Sequence, residues 1–400
     1  MGIPLNLNRA FKIMEKYDID VLIGTTPENN FYLSNVWSVG HFAIRGVNIF
    51  TILPRNGEPT LVLPQSELDQ YAESQSWIKN IKCYGTFYME ISENNTSSSD
   101  FEKKLCKLVR SKSERTAAEA LINAIYEQGL EDTKIGIDEL GLSYPMWYEL
   151  QKKLPKATII PASHVLKEIR MIKTDEEVYK LKKAAEIAEK SFYAAVEQAF
   201  EGMKEFDIAR EFDKNVVKNE GIPFLTLFGF GARSALPNCV PTDNKLKKGD
   251  VIRFDGGCVY QHYYSDIAFT AVFKKPSEKC KRYYQAIIKG AQKAIQSIKP
   301  GIKASEIFKI ALNAVRDNGI GHYNRHHCGH GIGLEIYDPP TLSPVDDRPL
   351  EDGMVLCVET PYYEIGFGGL QIEKTILVTK DGFEYLTSPI EDNEELLVLR

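Results

Sequence analysis

Helical and strand-like patterns of apolar residues alternate along the first 165 residues. Segments with a 3.6-residue apolar period predict helices, and short runs of β-branched and other apolar residues between turn signals predict buried strands. The predicted helices span 8–17 and 114–128, and the predicted strands span 20–24, 47–53, 60–63 and 134–137. This alternation is typical of an α/β domain.

The pattern changes near residue 168, where longer amphipathic helices begin. Thr174 and Glu177 are spaced as a capping box, in which each side chain bonds the other's backbone N–H at the start of a helix. An apolar stripe then runs to Gly202 and predicts a helix over 174–201. We therefore expect two domains, 1–168 and 169–400.

Two segments of the second domain resemble each other. The residues at 202–208 and 301–307 share glycine, lysine, an acid and isoleucine at a constant offset of 99, and each segment follows a longer predicted helix. Chance similarity between amphipathic helices would explain this. The other interpretation is a duplicated unit of two helices and a sheet, with a site between the two halves.

The stretch 251–273 reads as two apolar, aromatic-rich strands with a turn near Tyr260 and Gln261. Asp255 and Asp266 lie in different arms, and a turn centred between them would place them opposite each other on one face. Two buried carboxylates repel each other and are costly to bury without a partner. We expect a cation between them.

Four of the seven histidines fall within 322–330. His330 lies between Gly329 and Gly331, which leave the backbone room to approach a ligand and direct one imidazole inward. A single histidine is usually structural, but this glycine-rich setting favours a ligand. We also expect His326, four residues earlier, to act in catalysis.

Two later strands, 353–360 and 369–378, each carry one acid in an apolar run. These acids, Glu359 and Glu373, could face solvent on an edge strand. Val355 and Cys357 share the predicted face of Glu359, however, and such a set is unsuited to a water-facing surface.

These residues form a candidate metal site: Asp255, Asp266, His330, Glu359 and Glu373. Four carboxylates balance the charge of about two divalent ions, and a bridging hydroxide remains as a nucleophile. One imidazole among carboxylates suits Mn²⁺ or Co²⁺ best, with Zn²⁺ or Fe²⁺ as further options. The site could therefore polarise a carbonyl and stabilise a tetrahedral oxyanion.

The composition limits the partners of the chain. A net charge of −6 gives no electrostatic case for nucleic acid or an anionic membrane surface. The chain has no apolar run near the ~20 residues that a membrane span needs and no signal-peptide pattern at its start. Seven cysteines without a CxxC pair favour reduced thiols and a cytoplasmic protein.

The chain resembles the creatinase, prolidase, aminopeptidase P and methionine aminopeptidase family. The resemblance is strong over 170–400, through the motifs Asp255…Asp266, 329–333, 359–361 and 371–373, and weaker over 19–33. It implies an α+β chain with a C-terminal pita-bread fold, in which pseudo-twofold helix pairs lie on a curved antiparallel sheet, and a smaller creatinase-like α/β domain before it.

The resemblance also implies roles for the site residues. Asp266 and Glu373 would bridge two metal ions, Asp255 would chelate one of them, and His330 and Glu359 would bind the other. Glu359 would also act as general base. Family members are commonly homodimers, in which the N-terminal domain helps to close the neighbouring site.

Three substrate positions depart from the proline-specific members. Asn238 and Tyr337 stand where those enzymes have histidines, and Gln371 replaces an arginine; Tyr337 could still donate to an oxyanion. We expect an Xaa-Pro peptidase acting on a short peptide. The alternatives are a small-molecule C–N hydrolase or lyase, similar to ectoine hydrolase, sulfoniopropionate lyase or creatinase, and a non-catalytic peptide-binding module.

Overall fold

The structure is a computed structural model that describes residues 4–92, 99–391 and 394–400. The segment 92–100, predicted from its polar composition to be a loop, lies mostly outside the described residues. The chain divides into two compact units, Met1–Arg170 and Met171–Arg400. The described helices include none whose length and apolar character would let it cross a membrane.

The first unit contains a seven-stranded mixed sheet in the order β5-β4-β3-β2-β1-β6-β7. Its strands β1, β2 and β3 are buried along their whole length, which explains their near-continuous hydrophobic sequences. The strands are β1 Val21–Gly24, β2 Phe50–Pro54, β3 Thr60–Pro64, β4 Asn80–Tyr84, β5 Ser113–Glu114, β6 Lys134–Ile137 and β7 Thr158–Pro161.

Helices connect these strands. The predicted helix 114–128 begins three residues later, where Thr116 and Glu119 form a capping box. The helices of this unit are α1 Leu7–Lys16, α2 Pro27–Ser34, α3 Val39–Ala43, α4 Leu68–Glu73, α5 Asp100–Val109, α6 Ala117–Glu127, α7 Tyr144–Lys153 and α8 Ser163–Arg170.

Two pairs of amphipathic helices belong to the second unit. The predicted capping box of Thr174 and Glu177 opens the first of them, which ends at Val196 rather than near 201. The four helices are α9 Asp175–Val196, α10 Glu205–Lys218, α11 Glu278–Gln296 and α12 Ala304–Asp317. α9 packs against α10, and α11 packs against α12.

The sheet of the second unit is mainly antiparallel, with ten strands and the main order β10-β9-β11-β17-β14-β12-β13. β8, β18 and β19 pair with β9, β17 and β11, and β15 and β16 form a separate hairpin. The strands are β8 Ile222–Phe230, β9 Val251–Tyr260, β10 Tyr263–Tyr264, β11 Ile267–Phe273, β12 Gly329–Gly331, β13 Asp338–Thr341, β14 Val355–Glu359, β15 Tyr362–Glu364, β16 Gly368–Leu370, β17 Glu373–Thr379, β18 Gly382–Tyr385 and β19 Leu397–Leu399.

The two similar segments at 202 and 301 have the same backbone pairing. Gly202 N–H donates to the Leu246 carbonyl, and Gly301 N–H donates to the Leu350 carbonyl, each at 2.8 Å. A β-bridge follows two residues later in both places, at Lys204 and at Lys303. Chance similarity between two helices would not reproduce these pairings, so they favour the duplicated unit.

The two faces of the large sheet differ in chemistry. The core includes Phe254 of β9, Leu356 and Val358 of β14, and Ile376 of β17, with Phe192 of α9 against the same face. Because side chains alternate along a strand, the residues between these positions face the other way. That second face carries the candidate ligands.

Candidate metal centre

Three of the predicted ligands lie in one row across neighbouring strands. Asp255 of β9 pairs with Ala268 of β11, and Ala268 pairs with Glu373 of β17. Glu373 in turn pairs with Glu359 of β14. Directly opposed residues of antiparallel strands point to the same face. Strand register therefore gathers these three carboxylates.

His330 and Asp266 join the row from its two sides. His330 of β12 lies opposite Cys357, two residues before Glu359 and so on the same face. Asp266 directly precedes β11, two residues before Ala268. All five candidate ligands therefore face one side of the sheet, away from the helices.

The prediction that the two aspartates lie directly opposite each other was wrong, because the turn lies one residue further along the chain than predicted. The turn is formed by Gln261 and His262, with φ of 47° and 75°, rather than by Tyr260 and Gln261. Asp255 is consequently opposite Ala268, and Asp266 is its diagonal neighbour. Neither residue is the glycine, asparagine or aspartate that usually marks a two-residue hairpin turn, so the sequence contains little signal for this turn.

The centre of the group is compact. His330 Nε2 lies 3.6 Å from Asp266 Oδ2 and 3.8 Å from Glu373 Oε1. Ligand atoms of these three residues all lie within 4.8 Å of one another. Glu373 Oε1 is buried and accepts no hydrogen bond from the described residues. A buried carboxylate oxygen without a donor is costly, and a divalent cation among these oxygens and one imidazole fits the need.

The carboxylates are electrostatically strained without a cation. Burial, together with the charge of Asp266, raises the pKa of Asp255 to about 6. Burial raises the pKa of Glu359 to about 7, and burial with three neighbouring carboxylates holds the pKa of Glu373 well above its ordinary value. Divalent ions bound among these oxygens would favour the charged carboxylates and so oppose these upward shifts.

His330 is oriented for metal binding. Its ring is almost fully buried, and Nδ1 lies 3.0 Å from the Gly331 carbonyl, which can accept its proton. Burial lowers the pKa of His330, but the nearby carboxylate of Asp266 and the Gly331 carbonyl outweigh it and the net shift is upward. With the proton on Nδ1, the lone pair of Nε2 points at the carboxylates.

The glycines around His330 make room for protein backbone. A Cβ on Gly329, where φ is 139°, would collide with the Cys357 carbonyl, and one on Gly331 would collide with the Pro339 carbonyl. We expected this space to admit a ligand. The close neighbours are instead the adjacent strands β14 and β13.

Arg253 is a buried residue that the sequence analysis missed. Its guanidinium Nη1 donates to Asp255 Oδ2 at 3.2 Å, and its other nitrogens donate to the carbonyls of Ser234, Leu236 and Pro237. Its side chain is fully buried. A charged residue two positions before Asp255 in an apolar strand was the available signal, since both must share one face.

Gln371 links Arg253 to the ligands. Its Oε1 accepts from Arg253 Nη1 at 2.8 Å and from the Tyr363 hydroxyl at 3.1 Å. Its Nε2 donates to Glu359 Oε2 at 3.4 Å. Arg253, on strand β9, thus places a positive charge beside the uncharged side chain of Gln371.

The other two predicted substrate residues lie at the edge of the site. The ring of Tyr337 stacks on His330, with centroids 3.8 Å apart, while half of the side chain remains exposed. Asn238 is exposed in the loop after Pro237, whose carbonyl binds Arg253. Both residues are accessible, unlike the candidate ligands Asp266, His330, Glu359 and Glu373.

The histidine that contacts Glu359 is His327. Its Nδ1 lies 3.2 Å from Glu359 Oε1 and accepts from the backbone N–H of Gly329. Burial and the neighbouring cations lower the pKa of His327 to about 3, so the ring is neutral at physiological pH. His326 is exposed and meets His327 edge to face. The spacing of residues in the sequence does not indicate which of two adjacent loop histidines contacts Glu359.

Comparison with known proteins identifies the family. Residues 179–380 match the sequence profile of metallopeptidase family M24, and residues 7–172 match the creatinase/prolidase N-terminal domain. The chain belongs to metallopeptidase family M24, and its second unit has the pita-bread fold. It is therefore a metallohydrolase whose family works with divalent metal ions, which confirms the resemblance seen in the sequence.

Individual relatives match nearly the whole chain. An Xaa-Pro dipeptidase of Pyrococcus furiosus is 37% identical over 383 residues, covering 95% of this chain and 97% of its own. The solved prolidase from Pyrococcus furiosus superposes with a TM-score of 0.76 at 30% identity, over 95% of this chain and 100% of that one. An Xaa-Pro dipeptidase from Bacillus anthracis gives 0.81 at 26% identity, over 98% and 99%.

Proposed function

We propose that the chain is a metal-dependent Xaa-Pro peptidase, of the dipeptidase or aminopeptidase P type, which holds two divalent ions. The observation that carries this proposal is the buried, unpartnered Glu373 Oε1 beside His330 and Asp266. Relatives called Xaa-Pro dipeptidases, similar along the whole chain, support the substrate class.

Each ligand has a proposed role. Asp266 and Glu373 belong to the compact group around His330 and would be shared by both ions, Asp255 would hold one ion, and His330 with Glu359 would hold the other. When bound, the ions would polarise the scissile carbonyl and acidify a water molecule. A charge of four carboxylates matches two divalent ions, and the oxygen-rich set favours Mn²⁺ or Co²⁺.

Glu359 is the proposed general base. Its Oε2 accepts a hydrogen bond from Gln371 Nε2 at 3.4 Å, which orients the carboxylate to accept a proton from a water molecule in the site. The exposed imidazole of His326 is a proposed second participant, next to His327 at the surface of the site.

Tyr337 and Asn238 are proposed to contact the substrate. The Tyr337 hydroxyl stays protonated because burial and the nearby carboxylates raise its pKa, so it can donate to a developing oxyanion. These two residues and Gln371 also motivated the C–N hydrolase and lyase alternatives. The names of the compared relatives support the peptidase over these alternatives.

We also propose a homodimer. α3 and the residue after it expose the apolar side chains of Val39, Phe42 and Ile44, each more than half accessible. Such a patch is typical of a protein interface. Light scattering should give a molar mass near twice that of the 45.2 kDa chain. The free thiols Cys239, Cys258 and Cys357 support a proposed reducing, cytoplasmic compartment.

The substrate class is tested with protein loaded with Mn²⁺ or Co²⁺. The peptides are Ala-Pro, Met-Pro and an Xaa-Pro-Xaa tripeptide, with Ala-Ala and Ala-Ala-Ala as non-prolyl controls. We expect release of the N-terminal residue from at least one prolyl peptide, with kcat/KM well above that for its control. Hydrolysis of none of the prolyl peptides by metal-loaded protein would refute the peptidase proposal and favour the C–N hydrolase alternative.

A further inference from the structure

A buried carboxylate outside the ligand cluster lies at the start of α10. Glu205 is the first residue of this helix, and its side chain is fully buried. A carboxylate in such a place is costly unless hydrogen-bond donors surround it. Its two oxygens accept at 2.8–3.1 Å from the backbone N–H groups of Phe230 and Thr242 and from the side chains of Arg233, Thr242 and Asn244. The start of α10 is therefore bound to a segment 25 to 39 residues further along the chain.

These donors come from both ends of one connection. Residues 231–244, which we call the β8–β9 loop, follow the end of β8 and lead toward β9. Arg233, inside the loop, donates from Nε to both oxygens of Glu205 at 3.1 Å. Its Nη2 donates to the Val240 carbonyl at 3.0 Å. Glu205 therefore holds the two ends of the loop together, and Arg233 joins its interior to the same carboxylate.

The same loop supplies the acceptors for Arg253. Arg253 Nε donates to the Ser234 carbonyl at 2.8 Å. Its Nη2 donates to the carbonyls of Leu236 and Pro237 at 2.5 and 2.9 Å, and its Nη1 donates to Asp255 Oδ2 at 3.2 Å. Because the guanidinium is planar and rigid, these three carbonyls set the direction from which it approaches Asp255.

A continuous set of contacts thus connects Glu205, through the loop and Arg253, to a candidate metal ligand. We propose that Glu205 is a positioning residue of the metal centre. It holds the β8–β9 loop in the arrangement whose carbonyls orient Arg253, and Arg253 in turn orients Asp255 toward a divalent cation. This inference rests on the proposed metal centre, and it makes metal affinity depend on a residue outside the ligand set.

The alternative is that Glu205 only stabilises the fold. A buried carboxylate with these partners contributes to the free energy of unfolding whether or not Arg253 depends on it. The two roles differ in one measurable respect. A positioning role requires that Glu205 affect metal binding only while Arg253 is present to transmit the effect.

The test is titration of the metal-free protein with Mn²⁺ by calorimetry. Glu205→Gln keeps the size of the side chain but replaces an acceptor oxygen with a donating amide, among backbone N–H groups and a guanidinium that also donate. One end of the loop should therefore detach. We expect at least one Mn²⁺ dissociation constant to rise roughly tenfold, at the lower end of the range for residues that orient ligands. In an Arg253→Met background, the same exchange should cause no further rise.

Two further variants control for folding. Arg233→Gln changes a partly exposed member of the same contacts and should raise the dissociation constant less. If Glu205→Gln does not fold, Arg233→Gln is compared with and without Arg253→Met in its place. Val216→Ala removes two carbon atoms from the buried face of α10, so it should lower the free energy of unfolding while Mn²⁺ affinity stays at the wild-type value. Urea unfolding and circular dichroism, measured on all variants, establish which are folded.

The results separate this inference from the proposed function. An unchanged Mn²⁺ affinity in folded Glu205→Gln would overturn it, and so would an equal rise of the dissociation constant in the Arg253→Met background or in Val216→Ala. Turnover of Ala-Pro is assayed in parallel. Metal binding that depends on Glu205 through Arg253, without cleavage, would leave the positioning role standing while the peptidase proposal fails. Cleavage by the wild type, together with unchanged Mn²⁺ affinity in Glu205→Gln, would do the reverse.

Discussion

The candidate ligand cluster and the accessible residues around it are held in place by different parts of the structure. Asp266, His330, Glu359 and Glu373 are less than one-tenth exposed and lie on, or next to, adjacent strands whose pairing determines their spacing. Tyr337 and Asn238 lie outside the strands and are accessible. A rigid sheet can thus preserve the metal chemistry while loop residues change the substrate. The following experiments ask whether the two regions are as separable as this contrast implies.

The largest effect is expected at Asp266. Asp266→Asn keeps the size of the side chain but removes a charge from the centre of the cluster, and activity should fall below about a thousandth of the wild-type value. Metal content should fall with it, while the far-ultraviolet circular dichroism stays unchanged. Asp381→Asn, on an exposed turn, should retain full activity. Normal turnover by a metal-free Asp266→Asn would contradict the account.

Arg253 tests whether the ligand row needs support from its neighbours. Arg253→Met leaves Asp255 and Gln371 without their shared donor, and we expect a loss of about 3–5 kcal/mol in the free energy of unfolding. Metal affinity should fall roughly 10–100-fold, as for other residues that orient ligands. Urea unfolding and metal titration measure the two effects.

Arg253→Lys is the matched control for that change. The lysine keeps a positive charge near Asp255 but cannot reach Asp255, Gln371 and the loop carbonyls at once. It should recover much of the metal affinity and less of the stability. If Arg253→Met bound metal as tightly as the wild type, Arg253 would be structural only.

Removal of metal should destabilise the protein. The crowded carboxylates repel one another, and ions that bind only the folded state stabilise it by about 2.7 kcal/mol when their concentration is 100 times Kd. For a unit of this size, the melting temperature should drop by roughly 5–10 °C with a chelator. Adding Mn²⁺ back should restore it, and Asp266→Asn should show no such shift. A chelator without effect on wild type would contradict this.

Much of the fold, and the placement of the candidate ligands on one face of the sheet, was predictable from the sequence. An acid in an apolar strand, as at Glu359 and Glu373, must share a face with its i±2 neighbours, and that alternation holds wherever the strand is regular. The capping box of Thr174 and Glu177 and the helices it introduces were equally visible, because their signals are local.

The remainder depends on tertiary structure. The turn at Gln261 and His262 has no glycine to mark it, so the register of the two aspartates was misjudged. The contact of His327 with Glu359 and the hydrogen bonds that Glu205 accepts depend on how loops fold onto distant strands and helices. No local pattern contains that information.

The smallest effect is expected among the accessible residues around the ligand cluster. Tyr337→Phe keeps the ring on His330 and removes only the hydroxyl, so kcat should fall about tenfold, the equivalent of one hydrogen bond of about 1.4 kcal/mol. Metal content and melting temperature should remain unchanged. A loss of metal in this variant would show that the accessible residues around the site and the ligand cluster are coupled.

The proposed two-ion site can be tested directly. Crystals grown with Mn²⁺ and measured at the manganese absorption edge should give two anomalous peaks per chain, both within coordination distance of Asp266 and Glu373. One peak should also lie next to Asp255, and the other next to His330 and Glu359. A single peak, or none at these side chains under saturating Mn²⁺, would contradict the two-ion centre.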